Sequence, residues 1–171
     1  MRSRPGPYAI QQPGPRQESV WDFPRPPALQ REPREGVVRL DGVEIARSSH
    51  LLRMAETASP PTYYFPRADV RMDLLADAHH PTFCEWKGRS QHFDIAINGN
   101  RLQRAAFAYP EPMTDQADYT AIADCIAFYP QQLECWLGDE RVTPQPGGYY
   151  AGWITADILG PFKGEPGTQH W

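Results

Sequence analysis

The chain has 171 residues, with 17 basic and 21 acidic side chains interleaved along it and a formal net charge of −4, so it carries no basic stripe to wrap a polyanion and nucleic acid is not expected as a partner. Apolar residues reach 40%, enough for one sizeable core, while 19 prolines, roughly twice the usual share, argue against long helices. No window approaches the roughly 20 apolar residues of a membrane span, and the start with Arg2, Arg4 and Arg16 lacks the apolar run of a signal peptide, so a soluble, cytoplasmic protein with no membrane partner is expected.

Residues 1–35 are dense in proline (PGP, PGPR, FPRPP, EPREG) and read as an extended arm. Within it, Val20-Trp21-Asp22-Phe23 is expected to anchor the arm on the body, because two large aromatics gain more by burial than the short segment loses in entropy. Residues 1–15, with little apolar beyond Tyr8 and Ile10, are expected to stay mobile.

The body, residues 36–142, opens with Val37–Leu40 and Val43–Ala46 around Asp41-Gly42, a strong short hairpin signal. Ser49–Thr57 suits a short helix or a bent strand and ends at Ser59-Pro60-Pro61. Thr62–Phe65 has strand composition, and Arg67–Ala76 could form one or two helical turns. Phe83–Lys87 and Gln91–Ile97 read as strands broken by Gly88; Asn98-Gly99-Asn100 then turns into a strand over Leu102–Tyr109. Two more strands follow, Cys125–Tyr129 and Leu133–Leu137, with Gly138-Asp139 turning toward Arg141-Val142. The segments 38–45, 95–102 and 136–142 echo one another at an irregular period. The expected fold is mainly β: an antiparallel, barrel-like or rolled sheet of seven or eight short strands, closed or nearly so, with one or two short helices. Residues 143–171 form a Gly- and Pro-rich strap that lacks the spacing of a phosphate loop.

Three cysteines, Cys84, Cys125 and Cys135, fit neither a disulfide framework nor the paired spacing of a zinc site, and read as small buried hydrophobes. His50 and the adjacent His79-His80 are not at ligand spacing, so no metal and no cofactor are expected.

Several motifs stand in order: Val43 to Ser48 running on to Glu56-Thr57, then Tyr63-Tyr64-Phe65-Pro66, then Cys84-Glu85-Trp86-Lys87-Gly88 with Phe93-Asp94, then Ala127-Phe128-Tyr129-Pro130. Together they resemble the bacterial family called domain of unknown function 427, over about residues 36–142, with the arm and strap resembling the extensions of a longer subfamily. The resemblance implies a compact β-rich fold and carries a nucleotidyltransferase label. That chemistry on its familiar scaffold needs a Gly-Ser turn followed by paired carboxylates on one strand. Here Asp69 and Asp73 stand four apart, a helical spacing, with no Gly-Ser before them.

The densest reactive cluster is Cys84 to Gly88. As a strand it would place Cys84 and Trp86 on one face and Glu85 and Lys87 on the other, unless Gly88 marks a bulge. Glu56, after an apolar run, is the best candidate for a buried acid, and Lys87 is its natural cation, either as an acid–base or anion-binding couple or as a fold-fixing ion pair. The leading expectation is a pocket for an unidentified small molecule, with Glu56, Cys84 and Lys87 as catalytic candidates and Tyr63, Trp86, Tyr129 and Trp153 as ligand-binding walls. The alternative is a noncatalytic interaction module whose arm and strap dock a partner or a second subunit as a homodimer. Metal-dependent nucleotidyl transfer ranks last.

Overall fold

A computed structural model of the chain describes residues 9–171, with 44% of the chain in strand and 7% in helical turns. No α-helix occurs among the described residues; the helical share consists of the 3-10 turns Val20–Asp22, Arg67–Asp69, Met72–Leu74 and Thr120–Ile122. The fold is mainly β and antiparallel, as expected, but it does not close into a barrel. Two sheets share one core instead.

The strands of the two main sheets, in chain order, are β1 (Ala28–Glu32), β2 (Gly36–Leu40), β3 (Val43–Ser48), β4 (Leu51–Glu56), β5 (Ser59–Pro66), β6 (Leu75–Asp77), β7 (Gln91–Ile97), β8 (Asn100–Ala108), β9 (Cys125–Phe128), β10 (Glu134–Leu137) and β11 (Glu140–Arg141). The larger sheet has seven strands in the order β1-β4-β5-β9-β8-β7-β6, and the smaller has four in the order β11-β10-β2-β3. Every ladder within them is antiparallel. The ambiguous stretch after Ser49 is therefore strand β4, and Ala28–Glu32, read as arm, is an edge strand paired with it.

The three echoing segments are three hairpins, β2-β3, β7-β8 and β10-β11, each joined by two residues. Asp41 and Gly42 have φ of 50° and 79°, and Asn98 and Gly99 have 50° and 80°. Positive φ at both central residues is the turn whose twist matches the flanking strands, which is why Asp-Gly and Asn-Gly stand there.

One face of the large sheet presents Tyr63, Phe65, Phe93, Ile95, Ile126 and Phe128 to Val38, Ile45, Cys135 and Leu137 of the small sheet, and together they form the main core. The opposite face presents Met54, Tyr64, Phe107, Cys125 and Ala127, joined by Tyr109, Tyr119 and Ile122, in a second cluster. No broad sheet covers this second face among the described residues; the small two-stranded hairpin over residues 83–89, the connection after β8 and the strap do.

Arm and strap are tied to each other and to the body. Glu18–Ser19 pairs in parallel with Ile158–Leu159, Trp21 Nε1 donates to Pro161 O (2.9 Å), and Val20 and Phe23 pack with Ala55 and Ile158. Of the stretch expected to stay mobile, residues 1–8 lie outside the described residues, and the Gln11 amide donates to Gly160 O. The strap folds back through Gln145, whose Nε2 donates to Lys163 O (2.8 Å) while its Oε1 accepts from the Gly152 amide (3.0 Å). At Gly164 (φ +111°) a Cβ would lie 1.9 Å from the Pro146 carbonyl oxygen, whereas at Gly167 (φ +82°) it would meet nothing within 4 Å. Both positions disfavour an L side chain through φ, but only the first also clashes with backbone. Gly164→Ala is therefore expected to lower stability by about 1–3 kcal/mol more than Gly167→Ala. Equal denaturant midpoints for the two variants would show that the strap is not seated as described.

Candidate functional site

Between the second face of the large sheet, the 83–89 hairpin and the strap lies a cavity of about 350 Å³. Its floor is sheet: Met54 and Glu56 from β4, Thr62 from β5, Phe107 on β8 with Tyr109 just beyond, and Tyr129 just past β9. Strand alternation puts these on the face away from the main core. The hairpin contributes Phe83, Cys84, Trp86 and Lys87, and the strap contributes Tyr149, Tyr150 and Lys163.

The hairpin is not the strand that alternation suggested. Cys84 pairs with Gly88, so Glu85, Trp86 and Lys87 form the tip of a tight turn, and Cys84, Trp86 and Lys87 reach the cavity together. Gly88 is required there: its φ is +96°, and a Cβ would come within 3.0 Å of Met113 Cγ. The Met113 amide donates to Lys87 O (3.0 Å) and ties the tip to the connection after β8.

Glu56 and Lys87 share the cavity without forming an ion pair. The Glu56 carboxylate accepts from Trp86 Nε1 (3.1 Å), and among the described residues no carboxylate lies within ion-pair distance of the Lys87 ammonium, which sits over the Tyr109 ring at 5.1 Å. Burial works against the charged ammonium, but the groups facing it, Tyr109 first and then Cys84 and Glu56, more than offset that cost. The Lys87 pKa lies above the ordinary lysine value, and the side chain is a cation at neutral pH. Lys163 is likewise held over an aromatic face, that of Tyr150 at 5.0 Å.

Tyr63 and Trp153, expected as pocket walls, belong to the main core. Both are fully buried, their rings 5.2 Å apart, and Trp153 Nε1 donates to Phe128 O (3.2 Å). Neither borders the cavity. Tyr63 points inward because its neighbour Tyr64 takes the other face of β5, and its burial pushes the phenol pKa up to about 12. Cys125 and Cys135 are buried, Cys84 is half-buried at the cavity, and all three are free thiols. Asp69 and Asp73 fall in separate 3-10 turns with separate partners, Ser48 Oγ for Asp69 and Arg71 for Asp73. No group of three or more His, Cys, Asp or Glu is placed to hold a metal ion among the described residues.

His92 was not singled out from sequence, and it stands at the cavity wall beside Tyr129. Its Nε2 lies 3.3 Å from the Tyr129 hydroxyl and its Nδ1 3.2 Å from Ser90 Oγ. The Ser90 hydroxyl lies closer still to that of Thr82 (2.7 Å). Directing the Ser90 proton to Thr82 makes His92 Nδ1 the donor to Ser90 and leaves Nε2 to accept from Tyr129. Burial, then the nearby His80 and Arg104, hold the His92 pKa below its ordinary 6.5, and burial pushes the Tyr129 phenol up to about 12. Two residues on, Asp94 fixes the bulge in the β7-β8 ladder: Oδ1 accepts from the Arg104 amide (2.8 Å), at a residue with φ of 50°, and Oδ2 accepts from Arg101 Nε (2.8 Å). The signal for His92 was parity, since it shares the strand face of Asp94 and not that of Phe93 and Ile95.

Two pH effects follow. A lowered His92 pKa means the unfolded chain takes the proton first, so stability falls as pH drops from 6.5 toward the lower folded value. The Asp94 carboxyl is held below its ordinary 3.8, by the Arg104 amide first and also by Arg101, so its contribution is complete above 3.8 and is lost as pH falls through the lower folded value. Nitrogen-15 NMR of the histidines is expected to show His92 as the Nδ1–H tautomer at pH 7, with a midpoint below 6.5. Asp94→Asn is expected to remove the lower step from stability against pH. A His92 midpoint at or above 6.5, or an unchanged acid step in the Asp94→Asn protein, would contradict the geometry.

The sequence model of the family described as domain of unknown function (DUF427) matches residues 28–139, well over half of the chain, under a label for nucleotidyl transfer. No curated protein matches the sequence. Glu56, Cys84, Trp86, Lys87, His92 and Tyr129 fall inside the matched segment, while Tyr149, Tyr150 and Lys163 lie beyond it.

Proposed function

Given that the chain belongs to the domain of unknown function 427 family, a description that assigns no activity, we propose that it binds a small organic anion in the cavity between the hairpin and the strap. The carrying observation is Lys87: a half-buried cation over the Tyr109 ring, with no carboxylate in pairing distance among the described residues. Held by a ring face and with no direct counter-charge, this ammonium still has donors to give, and a ligand carboxylate or phosphate accepts them in a charge-assisted hydrogen bond. The volume lies within the range of small-ligand sites, and aromatic walls with a few convergent polar groups are their usual lining. In this reading Lys87 anchors the anion, the Glu56–Trp86 hydrogen bond orients one wall, and Tyr129 with His92 forms another.

Binding is favoured over covalent chemistry at Cys84, because no hydrogen-bonded base accompanies its thiol among the described residues. The interaction-module alternative is weakened by the arm itself, whose Val20, Trp21 and Phe23 are engaged within the chain. Against nucleotidyl transfer, the two carboxylates at a suggestive spacing, Asp69 and Asp73, are each engaged elsewhere.

Because Lys87 has no direct ion-pair partner among the described residues, Lys87→Met is expected to fold, its denaturant midpoint lowered by no more than the modest stabilisation that the aromatic seat gives the cation. The same change should weaken octanoate binding, measured by calorimetry, by about tenfold or more. Glu56→Gln, which keeps an acceptor for Trp86, is expected to leave that affinity or improve it. Octanoate binding to the Lys87→Met protein at wild-type strength would overturn the proposal.

A further inference from the structure

Among the described residues, the large apolar side chains that stand exposed are Phe83, 69% accessible, and Tyr149, 64% accessible. They come from elements far apart in sequence, the hairpin and the strap, and both border the same cavity. A single exposed aromatic needs no explanation. Two converging on one opening form an apolar rim, the kind of exposed surface that marks a binding site. Tyr149 is braced edge-on by Tyr150, with ring centroids 5.0 Å apart and an interplanar angle of 83°. The lining of the same cavity also includes the rings of Trp86 and Tyr129, together with Lys87.

Resting on the anion-pocket reading, we propose that the ligand is an aromatic monocarboxylate, its planar ring held at the mouth by Phe83 and Tyr149 and its carboxylate seated on Lys87. The ring supplies the large flat apolar area that two exposed aromatics gain most by covering, through stacked or edge-on contacts. The single charge follows from Glu56. Its carboxylate lines the same cavity as Lys87 and Lys163, so a ligand bringing several negative charges would meet a like charge inside a space of about 350 Å³. The rim also joins two parts of the chain with different standing: Phe83 lies inside the family-matched segment and Tyr149 outside it. Anion capture thus rests on the matched domain, and selection of the ring depends on the strap.

The test is calorimetric titration of the full chain with 2-naphthoate, octanoate, 2-naphthamide and 1-naphthyl phosphate. The expected order has 2-naphthoate binding at least about tenfold tighter than octanoate, which lacks the ring, and than 2-naphthamide, which lacks the charge. Phe83→Ala and Tyr149→Ala, at exposed positions that leave the fold intact, should each weaken 2-naphthoate about three- to tenfold and octanoate by less, so that the ratio of the two affinities falls. Lys87→Met should weaken both carboxylates. Equal affinities for 2-naphthoate and octanoate, or rim variants that leave their ratio unchanged, overturn the aromatic ligand while the anion pocket stands. No binding of either carboxylate overturns both. Tighter binding of 1-naphthyl phosphate overturns the single charge. Dimers in sedimentation that dissociate in the rim variants, with carboxylate affinity unaltered, assign the rim to a second copy of this chain and also overturn the proposal.

Discussion

Strand β5 places Tyr63, Tyr64 and Phe65 in succession, and consecutive residues of a strand point to opposite faces, so these rings are all buried only if the sheet is covered on both sides. Tyr63 and Phe65 meet the small sheet, a regular layer that interdigitates with them and leaves a continuous core. Tyr64 faces the other way, toward a side with no second broad sheet among the described residues. The cover there is a two-residue ladder, a connection with one 3-10 turn, and a strap rich in Gly and Pro. Irregular chain cannot follow a pleated surface as closely as a second sheet does, and the space it leaves is the cavity. The pocket thus follows from giving a doubly apolar sheet two unlike covers.

The cavity side gathers its own set of charged and polar groups, while burial raises phenols and thiols on both sides. On the regular side, burial raises Cys135 and Tyr63 and keeps both neutral. On the irregular side, polar groups reach the sheet and hold charge: Lys87 and Lys163 on aromatic faces, Glu56 against an indole N–H, and His92 kept neutral between two hydroxyls. Asp94 links the two sides. Its carboxylate fixes the bulge of the β7-β8 hairpin, and with it where His92 stands on the outer face and Phe93 on the inner.

The hairpins were legible because Asp41-Gly42 and Asn98-Gly99 satisfy a backbone requirement that is local. The mainly β, antiparallel class was legible from proline and turn spacing for the same reason. What failed was tertiary. Cys84 to Lys87 alternates like a strand, yet its pairing with Gly88 makes it a turn, and nothing local distinguishes the two. Aromatic composition marked Tyr63 and Trp153 as readily as Tyr129, but which face of β5 meets a sheet and which meets a strap depends on segments far away in sequence. Closure into a barrel was expected from strand count. Residues 48–51 instead carry the chain from one sheet to the other, and each sheet keeps its edges. The strap gave no signal of its contribution, because Tyr149, Tyr150 and Lys163 gain meaning only from the cavity they border.

Glu56 and Lys87 show why the sequence pairing and the structural arrangement lead to different readings. Had the two formed a direct ion pair, each would have satisfied the other, and a ligand anion would have had to displace Glu56 before reaching Lys87. Instead the indole N–H of Trp86 donates to one carboxylate oxygen of Glu56, and the ammonium lies over the Tyr109 face, a weaker attraction than an ion pair. A cation held by a ring remains open to a stronger partner, while one held by a carboxylate is already neutralised. Trp86 therefore does more than wall the pocket: from the turn residue next to that lysine it gives the Glu56 carboxylate a partner other than Lys87.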